Sequence, residues 1–121
     1  MAASKVQYIE HNQKRILYID MSNCDLEEIV RIIKEAKSII ANAPPRSVLT
    51  LANLRGVHYH ALVGKVAKDF TDFNKPYVKA GAVVGLNPAL AAEFGEIQNF
   101  SGREIKVFDD PVQAKDWLIS Q

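Results

Sequence analysis

"RILYIDMSNCDLEEIVRIIKEAKSIIANAPPRSVLTLANL", Arg15 to Leu54, changes its hydrophobic period twice, and those two changes decide the fold. Ile16, Leu17, Tyr18 and Ile19 form an unbroken apolar run of β-branched and aromatic character, as in a strand covered on both faces. From Leu26 onward the spacing becomes helical. Leu26, Ile29, Val30, Ile33, Ala36 and Ile40 share one face, while Glu27, Arg31 and Glu35 recur at i,i+4 on another and read as a solvated surface. Asp25 with Glu28 three residues later resembles a capping box, with Ser22 and Asn23 as alternative caps, and Pro44-Pro45 stop the helix. "SVLTLANL" then returns to a buried strand, so a right-handed crossover between parallel strands is expected.

Working outward, "VQYIEH" and "RILYIDM" flank the polar "NQK" and read as an antiparallel hairpin. Downstream, "YHALVGKVAKDFTDF" carries Leu62, Val63, Val66, Phe70 and Phe73 at helical spacing. Gly64 inside it costs about 1 kcal/mol against alanine and implies close packing against a neighbouring element. "YVKAGAVVG" is a further buried strand whose small residues would let helices approach. "LNPALAAEFGEIQNF" begins with Asn87 as N-cap and Pro88 at the first helical position. "REIKVFDD" reads as an edge strand. "DPVQAKDWLISQ" reads as a closing helix, with Asp110 as N-cap, Pro111 in the first turn, Gln113 completing a capping box, and Trp117 and Leu118 facing inward. The expected fold is α/β: a mixed, mostly parallel five-stranded sheet with about four helices in β-β-α-β-α-β-α-β-α order, forming one domain over residues 1–121.

Composition narrows the function. Apolar residues are 48% and charged residues 24% of the 121, a balance that supports a folded domain. A net charge of +1 with Lys and Arg spread along the chain lacks the basic patch that nucleic-acid binding needs. No apolar run is long enough to span a bilayer and no signal core opens the chain, so no membrane insertion and a cytoplasmic location are expected. Cys24 is the single cysteine, which rules out an internal disulfide and a Cys-x-x-Cys motif. A neighbouring carboxylate at Asp25 argues against its use as a nucleophile.

The strand-loop "LTLANLRGV", the strand-turn "YVKAGAVVGLNP" and the ending "IKVFDDPVQAKDWL" together resemble the SpoIIAA-like branch of the STAS superfamily from about Arg15 to Leu118. In the ending, Phe108, Ala114, Trp117 and Leu118 match a packing pattern of that family. The resemblance implies a small α/β domain of bacterial-type signalling, without enzymatic activity or cofactor, which binds a protein partner. The family's anti-sigma-factor antagonists carry a phosphorylatable serine in an Asp-Ser-Ser-Gly context at the start of a helix, where free N–H groups and the dipole favour phosphate. Aligned through Gly56-Val57, that motif falls on Ala61, Leu62, Val63 and Gly64, so the serine positions hold Leu62 and Val63 and no phosphoswitch is expected there. The same place in the fold is expected to be an interaction loop with Arg55, His58, Tyr59 and His60 as its polar and aromatic contacts.

Three functional readings follow. The leading one is a regulatory or protein-interaction domain presenting residues 55–61, as monomer or homodimer. A second is a module for a small apolar or anionic ligand, held near the carboxyl ends of the parallel strands, with Asn87 at a helix start as an anion or ligand contact. A third is a metal-dependent enzyme using His58 and His60, which would share a side if extended; zinc asks for three or four protein ligands, and the sequence offers no cysteine pair or adjacent carboxylate to complete the set. Asp20 and Asp109-Asp110 end strands, but capping explains Asp110 and nothing in the sequence joins it to Asp20. Neither a Gly-x-Ser-x-Gly elbow nor a phosphate loop occurs.

Overall fold

The chain reverses at Asn12-Gln13, whose φ values of 49° and 69° give the two-residue mirror-image turn that matches strand twist in a hairpin. In the computed structural model, which describes residues 5–58, 61–89, 91–92 and 105–121, this turn joins β1 (Val6–His11) to β2 (Lys14–Asp20). The two are antiparallel, from Val6 opposite Ile19 to His11 opposite Lys14. There follow α1 (Leu26–Ile40), β3 (Val48–Asn53), α2 (Ala61–Asn74), β4 (Val78–Val84), β5 (Ile105–Phe108) and α3 (Pro111–Ile119). Strands lie in sequence order across one sheet, and every pair from β2 onward is parallel.

The mixed, mostly parallel five-stranded sheet is therefore present. The described residues hold three full helices, one fewer than expected. Residues 88–89 and 91–92 are helical, and the Ala91 N–H donates to Asn87 O at 2.9 Å; the rest of the helix expected after Asn87 lies outside the described residues.

Local capping chemistry fixes where the helices begin. Asp25 is the N-cap of α1: Glu28 N–H donates to Asp25 Oδ1 at 2.9 Å, and Asp25 N–H donates to Glu28 Oε1 at 3.3 Å, a complete capping box. Asp110 caps α3 with Pro111 in its first turn, but its carboxylate accepts from Val112 N–H at 2.9 Å. That contact is one residue short of Gln113, which the expected box would engage; the cap has adopted the tighter of the two geometries open to an N-cap side chain.

The helices sort onto two faces because β2 is buried on both. Leu17 and Ile19 pack with Ile29, Ile33 and Ile40 of α1, while Ile16 and Leu51 on the opposite face pack with Ala114 and Leu118 of α3. Partly buried Phe108 and Trp117 join that second cluster, ring centroids 5.8 Å apart. The family-like pattern of Phe108, Ala114, Trp117 and Leu118 thus forms one packed group. Two polar contacts fasten α3 to the hairpin: His11 Nε2 to Asp116 Oδ1 at 2.7 Å, and Lys14 Nζ donating to Ile119 O at 2.7 Å.

If α3 covers a true second core, Leu118→Ala should cost about 2–5 kcal/mol in urea unfolding, since the side chain is fully buried. A loss well under 1 kcal/mol would mean that the sheet does not need this cover.

Candidate functional site

The carboxyl ends of β2, β3 and β4 are laced together beyond the sheet. Leu54 N–H donates to Val84 O at 2.9 Å, Met21 N–H to Asn53 O at 2.9 Å, and Asn23 N–H to Arg55 O at 2.8 Å. Asn53 works in two directions: its Oδ1 accepts from Arg55 N–H at 3.0 Å, an Asx turn, and its Nδ2 donates to the Tyr18 hydroxyl at 3.1 Å. Val57 N–H donates to Leu54 O at 3.1 Å, and Asn87 Nδ2 donates to Val57 O at 3.1 Å. Residues 53–58 are therefore held from both neighbouring strand ends. Two glycines permit the close approach. Gly56 (φ +77°) lies against the Asn23 side chain, and a Cβ on Gly85 (φ +81°) would stand 2.7 Å from Arg55 N.

Leu54 and Val57 are the buried feet of this loop, and Arg55 and His58 are its exposed side chains. Tyr59 and His60 lie outside the described residues. Beyond them α2 begins, and its first turn separates the two positions aligned with the family's serines: Leu62 is 47% exposed, Val63 only 5%. Leu62 is thus a surface residue of the same rim, although its helical spacing groups it with Val63, Val66, Phe70 and Phe73. The 3.6 period could not reveal this, because adjacent residues on one turn point about 100° apart and either could be the inward one. Asn87, taken from sequence as an anion or ligand contact, spends its amide nitrogen on the loop carbonyl of Val57.

Other chemical groups do not converge. Asp20 Oδ1 accepts from Ser22 N–H at 3.1 Å and Ser22 Oγ at 2.6 Å; Asp110 follows β5, three strand spacings or about 14 Å of sheet away. Among the described residues no three His, Cys, Asp or Glu side chains group as metal ligands. Cys24 is free and buried. Burial pushes its thiol above the ordinary range, Glu28, Asp20 and Asp25 add to the effect, and Lys5 opposes it. No described helix is long and apolar enough to cross a membrane.

A cavity of about 60 Å³ lies between α2 and the sheet. The inward stripe of α2 roofs it, with Val63, Ala67, Phe70, Thr71 and Asn74 at helical spacing, and Ile29 and Ile33 of α1 form a wall. Its floor is Thr50 and Gly81, register partners on β3 and β4, whose small side chains leave the roof unfilled. The small residues of β4 let α3 approach as expected, Ala80 and Ala82 packing with Ala114 and Leu118, whereas Gly81 beneath α2 borders the cavity. Asn74 is 4% exposed, and its Oδ1 is the one buried side-chain atom among the described residues without a hydrogen-bond partner. An unmet buried acceptor costs about 1–3 kcal/mol. A wider hollow of about 510 Å³ at the amino ends of the strands, between Arg15 and Ser47, has no such buried group among the described residues.

Compared with protein-family models, with curated proteins and with solved structures, the chain has no match in any of the three.

The lacing of the rim predicts that Gly85→Ala loses on the order of 2 kcal/mol or more in chemical denaturation, because Ala would carry both a positive φ and a clash with the Arg55 backbone. Gly81→Ala, whose Cβ would meet only Thr50 Oγ1 at 3.0 Å, should lose less; equal losses would refute the close-approach argument. For Cys24 the sign is set by a raised folded-state pKa. The protonated thiol's contribution to stability is complete below the ordinary thiol range and is lost as pH rises through the shifted value. Alkylation by iodoacetamide from about pH 7 to about pH 10 should therefore show a rate midpoint at higher pH in the folded protein than in the urea-unfolded chain. Coincident midpoints would contradict the assigned burial.

Proposed function

We propose that the chain is a non-enzymatic regulatory domain of the STAS, SpoIIAA-like type, acting in the cytoplasm, which binds a protein partner through residues 55–61 and the exposed Leu62 in the first turn of α2. The observation that carries this reading is the loop at 53–58, pinned by backbone hydrogen bonds to the ends of both β2 and β4 while Arg55 and His58 stay exposed. A loop already ordered when free avoids part of the ordering cost of association, about 0.5–1.5 kcal/mol for each rotamer-rich side chain fixed. Its chemistry suits an interface as well. Arg55 and His58 offer polar contacts beside the apolar Leu62, the mixture found where a polar rim surrounds an apolar centre.

Leu62 and Val63 have no hydroxyl, so on this reading partner release is governed by something other than phosphorylation at the start of α2. Affinity capture with the wild type, with Arg55→Ala/His58→Ala/Tyr59→Ala, and with Val112→Ser on α3 tests the surface. A partner held by the wild type and Val112→Ser should bind the triple variant at least about tenfold more weakly, as expected when hot-spot side chains are removed. Equal retention by all three folded proteins would overturn the assignment of the loop.

A further inference from the structure

We infer that the hollow of about 510 Å³ beside the hairpin is a binding site for a small amphipathic anion, a monocarboxylate on a hydrocarbon body. The site is separate from the interaction loop, since it lies at the amino rather than the carboxyl ends of β2 and β3. Its volume falls within the range of small-molecule sites, about 300–1,000 Å³. Much of the wall is carbon, from Ile39 in the last turn of α1, from Ala43 and Pro44 just after it, and from Val48 at the start of β3. Arg15 of β2 is the one cationic side chain that lines the hollow among the described residues.

The setting of Arg15 selects the ligand. Its guanidinium carbon lies 4.0 Å from the centre of the Tyr8 ring, which lines the same hollow. Stacking uses the face of the guanidinium and leaves the edge, where the N–H groups form the fork that fits a carboxylate. No described group takes that edge. Glu10 is the register partner of Arg15 across the hairpin, yet the ion pairs among the described residues are those of His11 with Asp116 and Lys37 with Asp69. Other polar groups nearby are turned inward: Ser47 Oγ donates to Pro44 O at 2.7 Å, and Asn42 Nδ2 to Ser38 O at 2.9 Å. The negative end of α1 borders the hollow, but Ala41, Asn42 and Ala43 meet its last carbonyls, from Lys37 to Ile40, which reduces their repulsion of an anion. One guanidinium with Glu10 opposite balances a single negative charge, so a carboxylate fits better than a dianion. The rest of the ligand buries hydrocarbon against the carbon wall.

The probes are hexanoate, 1-hexanol and hexylamine, which at about pH 7 put an anion, a neutral group and a cation on the same chain. They are titrated into methyl-labelled full-length protein and followed by methyl NMR. The expected result is saturable shifts at Ile39 and Val48, with hexanoate bound about fivefold more tightly than 1-hexanol and hexylammonium more weakly than either. Arg15 is exposed, so Arg15→Gln leaves the core untouched. It should bring hexanoate to or below the affinity of the alcohol, while the alcohol still shifts the same methyls. Hexanoate that shifts neither methyl, equal affinity for the three probes, or a preference for hexanoate that survives Arg15→Gln would each overturn the proposal. Shifts confined to Ile29 and Val63 beneath α2 would do so as well, because they would place the ligand elsewhere.

Discussion

Three adjacent parallel strands buried on both faces cannot be served by one layer of helices. Ile16 and Leu17 are successive residues of β2, fully buried and belonging to opposite clusters, so water must be kept from both sides of the same strand. Each side has its own answer. The crossover helices α1 and α2 share one face, and the chain returns after β5 to lay α3 across the other, fastened by His11, Asp116 and the carbonyl of Ile119. The strands lie in sequential order, and each one after β2 is added parallel beside the last.

Parallel strands that end at one edge bring their following loops to one edge. Main-chain groups past the last ladder bonds would be left unpaired there, and in this protein the loops satisfy each other: Met21 and Asn23 bond to Asn53 and Arg55, and Leu54 to Val84. Asn53 and Asn87 supply side-chain bonds where the backbone runs out. The rim's rigidity and its exposure have one cause. Carbonyls and amides turn inward to pair, and the side chains of Arg55 and His58 are left pointing to solvent.

The two faces of the sheet differ in how completely they are filled. On the α3 face, Leu49 and Leu51 meet Ala114 and Leu118 in a closed cluster. On the other, β3 and β4 present Thr50 opposite Gly81 under the stripe of α2 that ends in Asn74. The space and the unmet acceptor of Asn74 lie under the same helix.

Local chemistry was legible in the residues themselves. The unbroken run at Ile16–Ile19, the helical stripe from Leu26 to Ile40, the Asp25–Glu28 box and the Asn12-Gln13 turn each depend on neighbours within a few positions, so they dictate the α/β class, the hairpin and the mostly parallel sheet. Tertiary structure decided the rest. Whether Leu62 or Val63 faces water depends on how α2 is rotated over the sheet, and whether Asp110 reaches Val112 or Gln113 depends on the angle at which α3 leaves β5. Thr50 and Gly81 lie far apart in sequence and become a cavity floor only through strand register. A periodicity records which residues share a face; it does not record what that face meets, because the partner surface is set by pairings between distant parts of the chain.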